Sequence, residues 1–180
     1  SDRHPEEPQT LCLVPRRTPA PRIGVGAVAM EAPDRGYSFA LSRPVWMRGG
    51  EMGLNERGVA IGNEAVFTRL GTAKKGVLGM DVLRAALAHA SSAAEARDFI
   101  CAFVDLHDQG GNGAYRGSLV YSNSFIVADP GEAFVVETAG RRWDWDELEV
   151  EESSLGESFD VPVPPVAMSA ALVRSSEGTE

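Results

Sequence analysis

Histidine and cysteine are scarce in this chain, three and two among 180 residues. His4, His89 and His107 are too scattered to form metal-ligand spacing, and Cys12 and Cys101 allow at most one disulfide, so neither a zinc module nor a disulfide framework is indicated. Apolar runs are short. None approaches the roughly 18 residues needed to cross a bilayer, and residues 1–22 do not read as a secretory leader. Basic residues are missing from the last part of the chain: residues 144–180 carry ten acids and Arg174 as their one base. Residues 1–143 balance 16 acids against 16 bases, so the net charge of −9 belongs to the tail. A neutral body with an acidic tail does not attract phosphate backbones, which argues against nucleic acid as a partner. Reduced thiols in a cytoplasmic protein are the simplest account of the two cysteines. The chain opens on Ser1-Asp2-Arg3 and not on Met, as a processed or partial chain would.

What is present is ordinary for a globular body. Hydrophobic residues make up 43% and charged residues 24%, over a length suited to one domain with a sizeable core. Residues 1–22 hold five prolines and read as an extended arm without packed structure. Gly24–Met30 and Tyr37–Ser42, split by Ala32-Pro33-Asp34-Arg35-Gly36, predict a hairpin. A second strand pair is expected from Glu51–Leu54 and Val59–Gly62 around Asn55-Glu56-Arg57-Gly58. The period then changes: Val82, Leu83, Ala86, Leu87 and Ala90 predict a helix over 79–90. Ser92 and Glu95 have capping-box spacing before a second helix that stops near Gly110-Gly111. Ser124–Ala128 and Ala133–Thr138 around Asp129-Pro130-Gly131-Glu132 predict the clearest hairpin. From Asp144 onward the pattern fails, and residues 144–180 are expected to be a poorly ordered acidic tail beyond a body of residues 1–143. The fold class is α+β: antiparallel strands, a helix pair lying on the sheet, then strands again.

Several segments together resemble the dipeptidase A and secernin family. They are Ser1-Asp2-Arg3, Leu41–Met47, Gly50–Val66, Gly79-Met80-Asp81, Gln109-Gly110-Gly111-Asn112, Asn123-Ser124-Phe125 and Glu137-Thr138-Ala139-Gly140. The resemblance implies a cysteine-type N-terminal-nucleophile hydrolase, of which this chain holds part of a four-layer αββα sandwich. It implies cleavage of dipeptide or small-peptide amide bonds, with no metal or cofactor, and it leaves room for a homo-oligomer. In such a class the first residue supplies both the attacking thiol and, through its α-amine, the general base. The family's cysteine lies on a strand upstream of the Asn-Ser-Asp-Arg motif, inside which this chain begins, so the chain is expected to be an internal fragment and inactive alone. Two alternatives stay open: a secernin-like regulator of secretion that acts by contacts, and an inactive homologue.

The resemblance also points to site residues. Asp2 matches the carboxylate beside the nucleophile. Asn63, at the end of its strand, reads either as a donor to the oxyanion or as a turn-capping amide. Glu51 and Glu64 read as partners for a substrate ammonium or as solvated sheet-edge acids. Ser1 is a poor replacement nucleophile because no strand pattern surrounds it, and neither Cys12 nor Cys101 can carry a free α-amine. Trp46, just before a glycine pair, reads as core packing more readily than as a pocket wall. Asp2, Asn63 and the Glu51–Asn55 turn are expected to converge.

Overall fold

The computed structural model describes residues 6–16, 22–26, 28–31, 36–73 and 75–149. Seven strands form one sheet in the order β1 (Gln9–Val14), β4 (Phe39–Pro44), β5 (Met52–Asn55), β6 (Ala60–Val66), β7 (Ser122–Ala128), β8 (Ala133–Ala139) and β9 (Arg142–Leu148). Every neighbouring pair is antiparallel. A separate hairpin joins β2 (Arg22–Val25) to β3 (Val28–Glu31). Helices α1 (Gly79–His89) and α2 (Ala93–Leu106) fill the connection from β6 to β7 and pack on each other and on the sheet. Among the described residues no helix is long and apolar enough to cross a membrane.

Strand alternation sends Phe39, Leu41, Ile61, Phe125, Val127, Phe134 and Val136 to the face covered by the helices. There they meet Val82, Leu83, Ala86 and Leu87 of α1 and Ile100 and Phe103 of α2, all buried. The opposite face is apolar as well, yet uncovered: Leu11 is 70% exposed, Leu13 76%, Met52 55% and Ile126 52%. The register runs Leu11–Ser42–Met52–Gly62–Ile126, so these residues share one row across five strands. One seven-stranded sheet with one helix layer is half of the four layers that the resemblance implies.

Several sequence expectations need correction. The N-terminal arm is not wholly unpacked, because Gln9–Val14 pairs with β4 over its full length. Pro8 and Pro15 bracket this edge strand without interrupting it, which is where proline is tolerated. The predicted hairpin of Gly24–Met30 with Tyr37–Ser42 does not form. Gly26, at φ +57°, turns the chain inside the first run, and the second run joins β1 and β5 instead. The second helix ends at Leu106, ahead of the glycine pair, since His107 is already extended. Gly110 and Gly111, at φ +136° and +82°, instead bring the chain beside Ala73 and Val77. A further strand that was not expected, β9, runs through the start of the acidic segment to Leu148, where Trp145 packs edge-on against Phe134 at 5.5 Å and lies under Arg97 at 4.3 Å. The remainder of the acidic tail, 150–180, lies outside the described residues, as do residues 1–5 with Ser1 and Asp2.

Polar groups tie the helices to one end of the sheet. Asn55 is buried and uses its whole amide: Nδ2 donates to the Leu87 and Ala90 carbonyls at the end of α1, at 2.9 and 2.8 Å, while Oδ1 accepts from Arg57 N and Val59 N. At the same end the β7–β8 turn caps α2. Ala93 N donates to Asp129 Oδ2 at 2.7 Å, Ala94 N to Glu132 Oε1 at 3.0 Å and Glu95 N to Ser92 Oγ at 3.2 Å. Three orphan amides of the first turn are thereby satisfied, two of them by carboxylates at the positive end of the helix dipole.

This cap yields a prediction with a sign. Burial pushes the Asp129 carboxyl up, but the amides of Ala93, Gly131 and Glu132 outweigh it and hold the group below its ordinary value. A carboxylate depressed in the folded state contributes stability that is present above its unfolded pKa of about 3.9 and lost as pH falls through the folded value. Asp129→Ala should cost about 1–3 kcal/mol at neutral pH and flatten the loss of stability below about pH 4. Urea denaturation of both proteins between neutral and acid pH checks this; equal slopes would contradict it.

Candidate active site

At the other end of the sheet lies a pocket of about 400 Å³, within the size range of small-molecule sites. Its residues come from separate parts of the chain. Glu7 precedes β1 and Glu51 precedes β5; Asn63 sits in the middle of β6 and not at a strand end as expected, because pairing with β7 carries the strand on through Glu64 and Ala65 to Val66; Met80 lies in the first turn of α1, and the 113–121 loop supplies Tyr115, Arg116, Ser118 and Tyr121. Antiparallel pairing explains the meeting of Glu51 with Asn63: Met52 pairs with Gly62, and Asn63 N donates to Glu51 O at 2.8 Å. The apolar part of the wall is built from Met80, Phe67 and Tyr121. The Tyr121 hydroxyl donates to Met80 Sδ at 3.4 Å, and Phe67 stands edge-on to the Tyr121 ring.

Behind this wall Asn63 belongs to a buried amide relay. Gln109 Nε2 donates to the Gly140 carbonyl, and Gln109 Oε1 accepts from Asn123 N at 2.9 Å and Asn123 Nδ2 at 2.8 Å. Thr138 Oγ1 lies 2.8 Å from the same Oε1 and accepts from Asn123 N at 3.1 Å. Asn123 Oδ1 then accepts from Asn63 Nδ2 at 3.2 Å, whose second hydrogen goes to the Ser124 carbonyl at 3.1 Å. Carbonyls at both ends accept only, so each amide has one consistent orientation. Both Asn63 hydrogens are thereby engaged, and its Oδ1 has no hydrogen-bond partner among the described residues. Donation to an oxyanion requires one Nδ2 bond to be exchanged, and the longer one runs to Asn123.

The structure thus brings Glu51, Asn63 and Glu64 to one pocket, while Asp2 lies outside the described residues. Asn55 does not join them; it faces the end of α1 at the far end of β5. Sequence reasoning missed Glu7, which is 8% exposed and accepts Trp46 Nε1 at 2.7 Å. It also missed Tyr115, Arg116 and Tyr121. Glu7 sits between prolines in a stretch read as unpacked, and its partner Trp46 lies 39 residues away, so no local signal pointed to it. Trp46 is not core: it is 42% exposed and lines a second hollow with Cys12, Arg43, Arg48 and Arg84. Neither cysteine lines the pocket. Cys12 Sγ accepts from Arg43 Nε at 3.2 Å, and burial, aided by Asp98, pushes the Cys101 thiol up to about 11.

No family model matches the chain. Among solved structures it is similar to two variants of conjugated bile acid hydrolase from Clostridium perfringens, each at TM-score 0.56 and 13% identity, covering 78% of this chain and 43% of that one. It is also similar to penicillin V acylase from Agrobacterium tumefaciens, at TM-score 0.52 and 13% identity, covering 77% of this chain and 41% of that one. The chain spans about two fifths of the length of these structures. The likeness establishes the fold alone: an α+β arrangement of an antiparallel sheet with two helices, shared with part of these structures.

The relay makes one glycine indispensable. A Cβ at Gly79 would lie 2.0 Å from Asn123 Oδ1 and 2.8 Å from Asn63 Nδ2. Alanine at the start of a helix ordinarily helps, by up to about 1 kcal/mol. Gly79→Ala should instead destabilise by about 1–3 kcal/mol through overpacking. An unchanged or raised urea midpoint would show that the relay is not packed as described.

Proposed function

We propose that this chain forms the substrate-binding body of a cysteine-type dipeptidase of the dipeptidase A and secernin kind. The observation that carries the reading is the convergence of Glu51, Asn63 and Glu64 on one small-ligand pocket. They do so on a frame similar to that of a conjugated bile acid hydrolase and a penicillin V acylase. The attacking group in this proposal is the thiol of a cysteine on a strand preceding Ser1, with its own α-amine as base. An α-amine has an unperturbed pKa near 8, so part of it is neutral at working pH. The amine takes the thiol proton, the thiolate adds to the substrate carbonyl, and the proton passes to the departing amine; water then hydrolyses the thioester.

The residues of this chain take roles around that step. Asp2, by its motif, orients the nucleophile. Asn63 exchanges its 3.2 Å bond to Asn123 for one to the developing oxyanion. A charged acceptor makes the stronger bond, so the exchange favours the transition state over the ground state. Glu51 and Glu64 receive the ammonium of the dipeptide. A cytoplasmic setting, in which Cys12 and Cys101 stay reduced, belongs to the same proposal.

A dipeptide-release assay on two proteins tests the reading. The 180-residue chain should release nothing, since loss of a nucleophile costs about a millionfold in turnover. The full coding sequence, with a cysteine exposed as its first residue, should release amino acids, and Glu51→Gln in that protein should raise KM about tenfold. Turnover by the 180-residue chain would refute the upstream nucleophile. No turnover by the longer protein would leave the contact-based, secernin-like role as the better account.

A further inference from the structure

We propose that Arg116 receives the free carboxylate of the dipeptide, so that the pocket reads both charged ends of its substrate. The inference rests on the dipeptidase reading. Among the described residues lining the pocket, Arg116 is the one cation, and the same lining includes the carboxylates Glu7, Glu51 and Glu64. A wall of both signs suits a zwitterion better than it suits a neutral amide or an anion.

Two further features fit Arg116 for this role. Its guanidinium pairs with Glu6 Oε2 at 2.8 Å, and both side chains are more than 60% exposed. Exposed pairs of this kind contribute little, so an incoming carboxylate replaces one carboxylate with another at small cost. The planar fork of arginine matches that group in two parallel bonds. The loop that carries Arg116 is also held in place before any ligand arrives. Asn112 Oδ1 accepts from Ala114 N at 3.0 Å and Leu119 N at 2.9 Å, and its Nδ2 donates to the Gly117 carbonyl at 3.0 Å. Gly113 N donates to Leu119 O at 2.9 Å and closes the base of the loop, while Gly117 at φ +78° permits its tip. A loop braced by one amide loses little freedom on binding, so more of the ion pair appears as affinity.

Calorimetric titration of the 180-residue chain with L-alanyl-L-alanine and with its C-terminal amide isolates the carboxylate. The acid should bind about 10- to 100-fold more tightly than the amide. Arg116→Gln should bring the acid down to the affinity of the amide, while thermal unfolding, for an exposed loop substitution, stays in place. Arg116→Lys should restore part of the gap. Equal binding of acid and amide, no binding of either, or a gap that survives in Arg116→Gln overturns the inference. A full-length protein that keeps the gap but cleaves no dipeptide would instead sink the dipeptidase reading and leave the role of Arg116 standing.

Discussion

The Gly140 carbonyl can only accept a hydrogen bond, and the orientation of every amide between it and the pocket follows from that. Gln109 must turn its Nε2 to Gly140, its oxygen must then serve Asn123, and Asn123 must offer its own oxygen to Asn63. The relay crosses from the end of β8 through the segment after α2 and through β7 to the middle of β6, with the start of α1 pressed against it at Gly79. The side chains of Gln109, Asn123, Thr138 and Asn63 are buried, so each lost partner would strand a polar atom at a cost of about 1–3 kcal/mol. The orientation of the Asn63 amide at the pocket is therefore set by the need to satisfy every member of the relay.

The two ends of the sheet have different work. At one end Asn55 and the Asp129–Glu132 turn close off the exposed termini of α1 and α2. At the other, glycine at the helix start lets backbone approach the relay, and carboxylates gather with a single arginine. Between them one sheet face is filled by helix residues and the other carries the uncovered row of Leu11, Met52 and Ile126. Apolar residues on both faces of a strand are what a sheet buried between two layers requires.

Much of the fold was legible because period and turn chemistry agreed. The β5–β6 pair, both helices and the β7–β8 hairpin fall close to where alternation and capping signals put them. Failures came where a short strand is bracketed by prolines, as at Gln9–Val14, or held by tertiary contacts, as for the acidic β9 against Phe134 and Arg97. Part of the site was legible through motifs and not through periodicity. Gly62-Asn63, Gln109–Asn112, Asn123-Ser124-Phe125 and Glu137–Gly140 are scattered in sequence, yet they supply the relay and the brace of the 112–119 loop. What stayed hidden was the hub role of Gln109, read as a helix stop, and the pocket position of Glu7 and Arg116. A long-range hydrogen bond leaves no local periodic signature.

The most direct measurement of the central claim is side-chain amide NMR on the 180-residue chain, with Asn63, Asn123 and Asn55 assigned, during titration with a dipeptide. Asn63 and Asn123 share the relay at the pocket, whereas Asn55 is equally buried but bound to α1 at the far end of β5. The account predicts that the Nδ2 resonances of Asn63 and Asn123 shift together and saturably while those of Asn55 stay in place. Shifts at Asn55 with Asn63 unmoved, or no shift at any of the three, would contradict it.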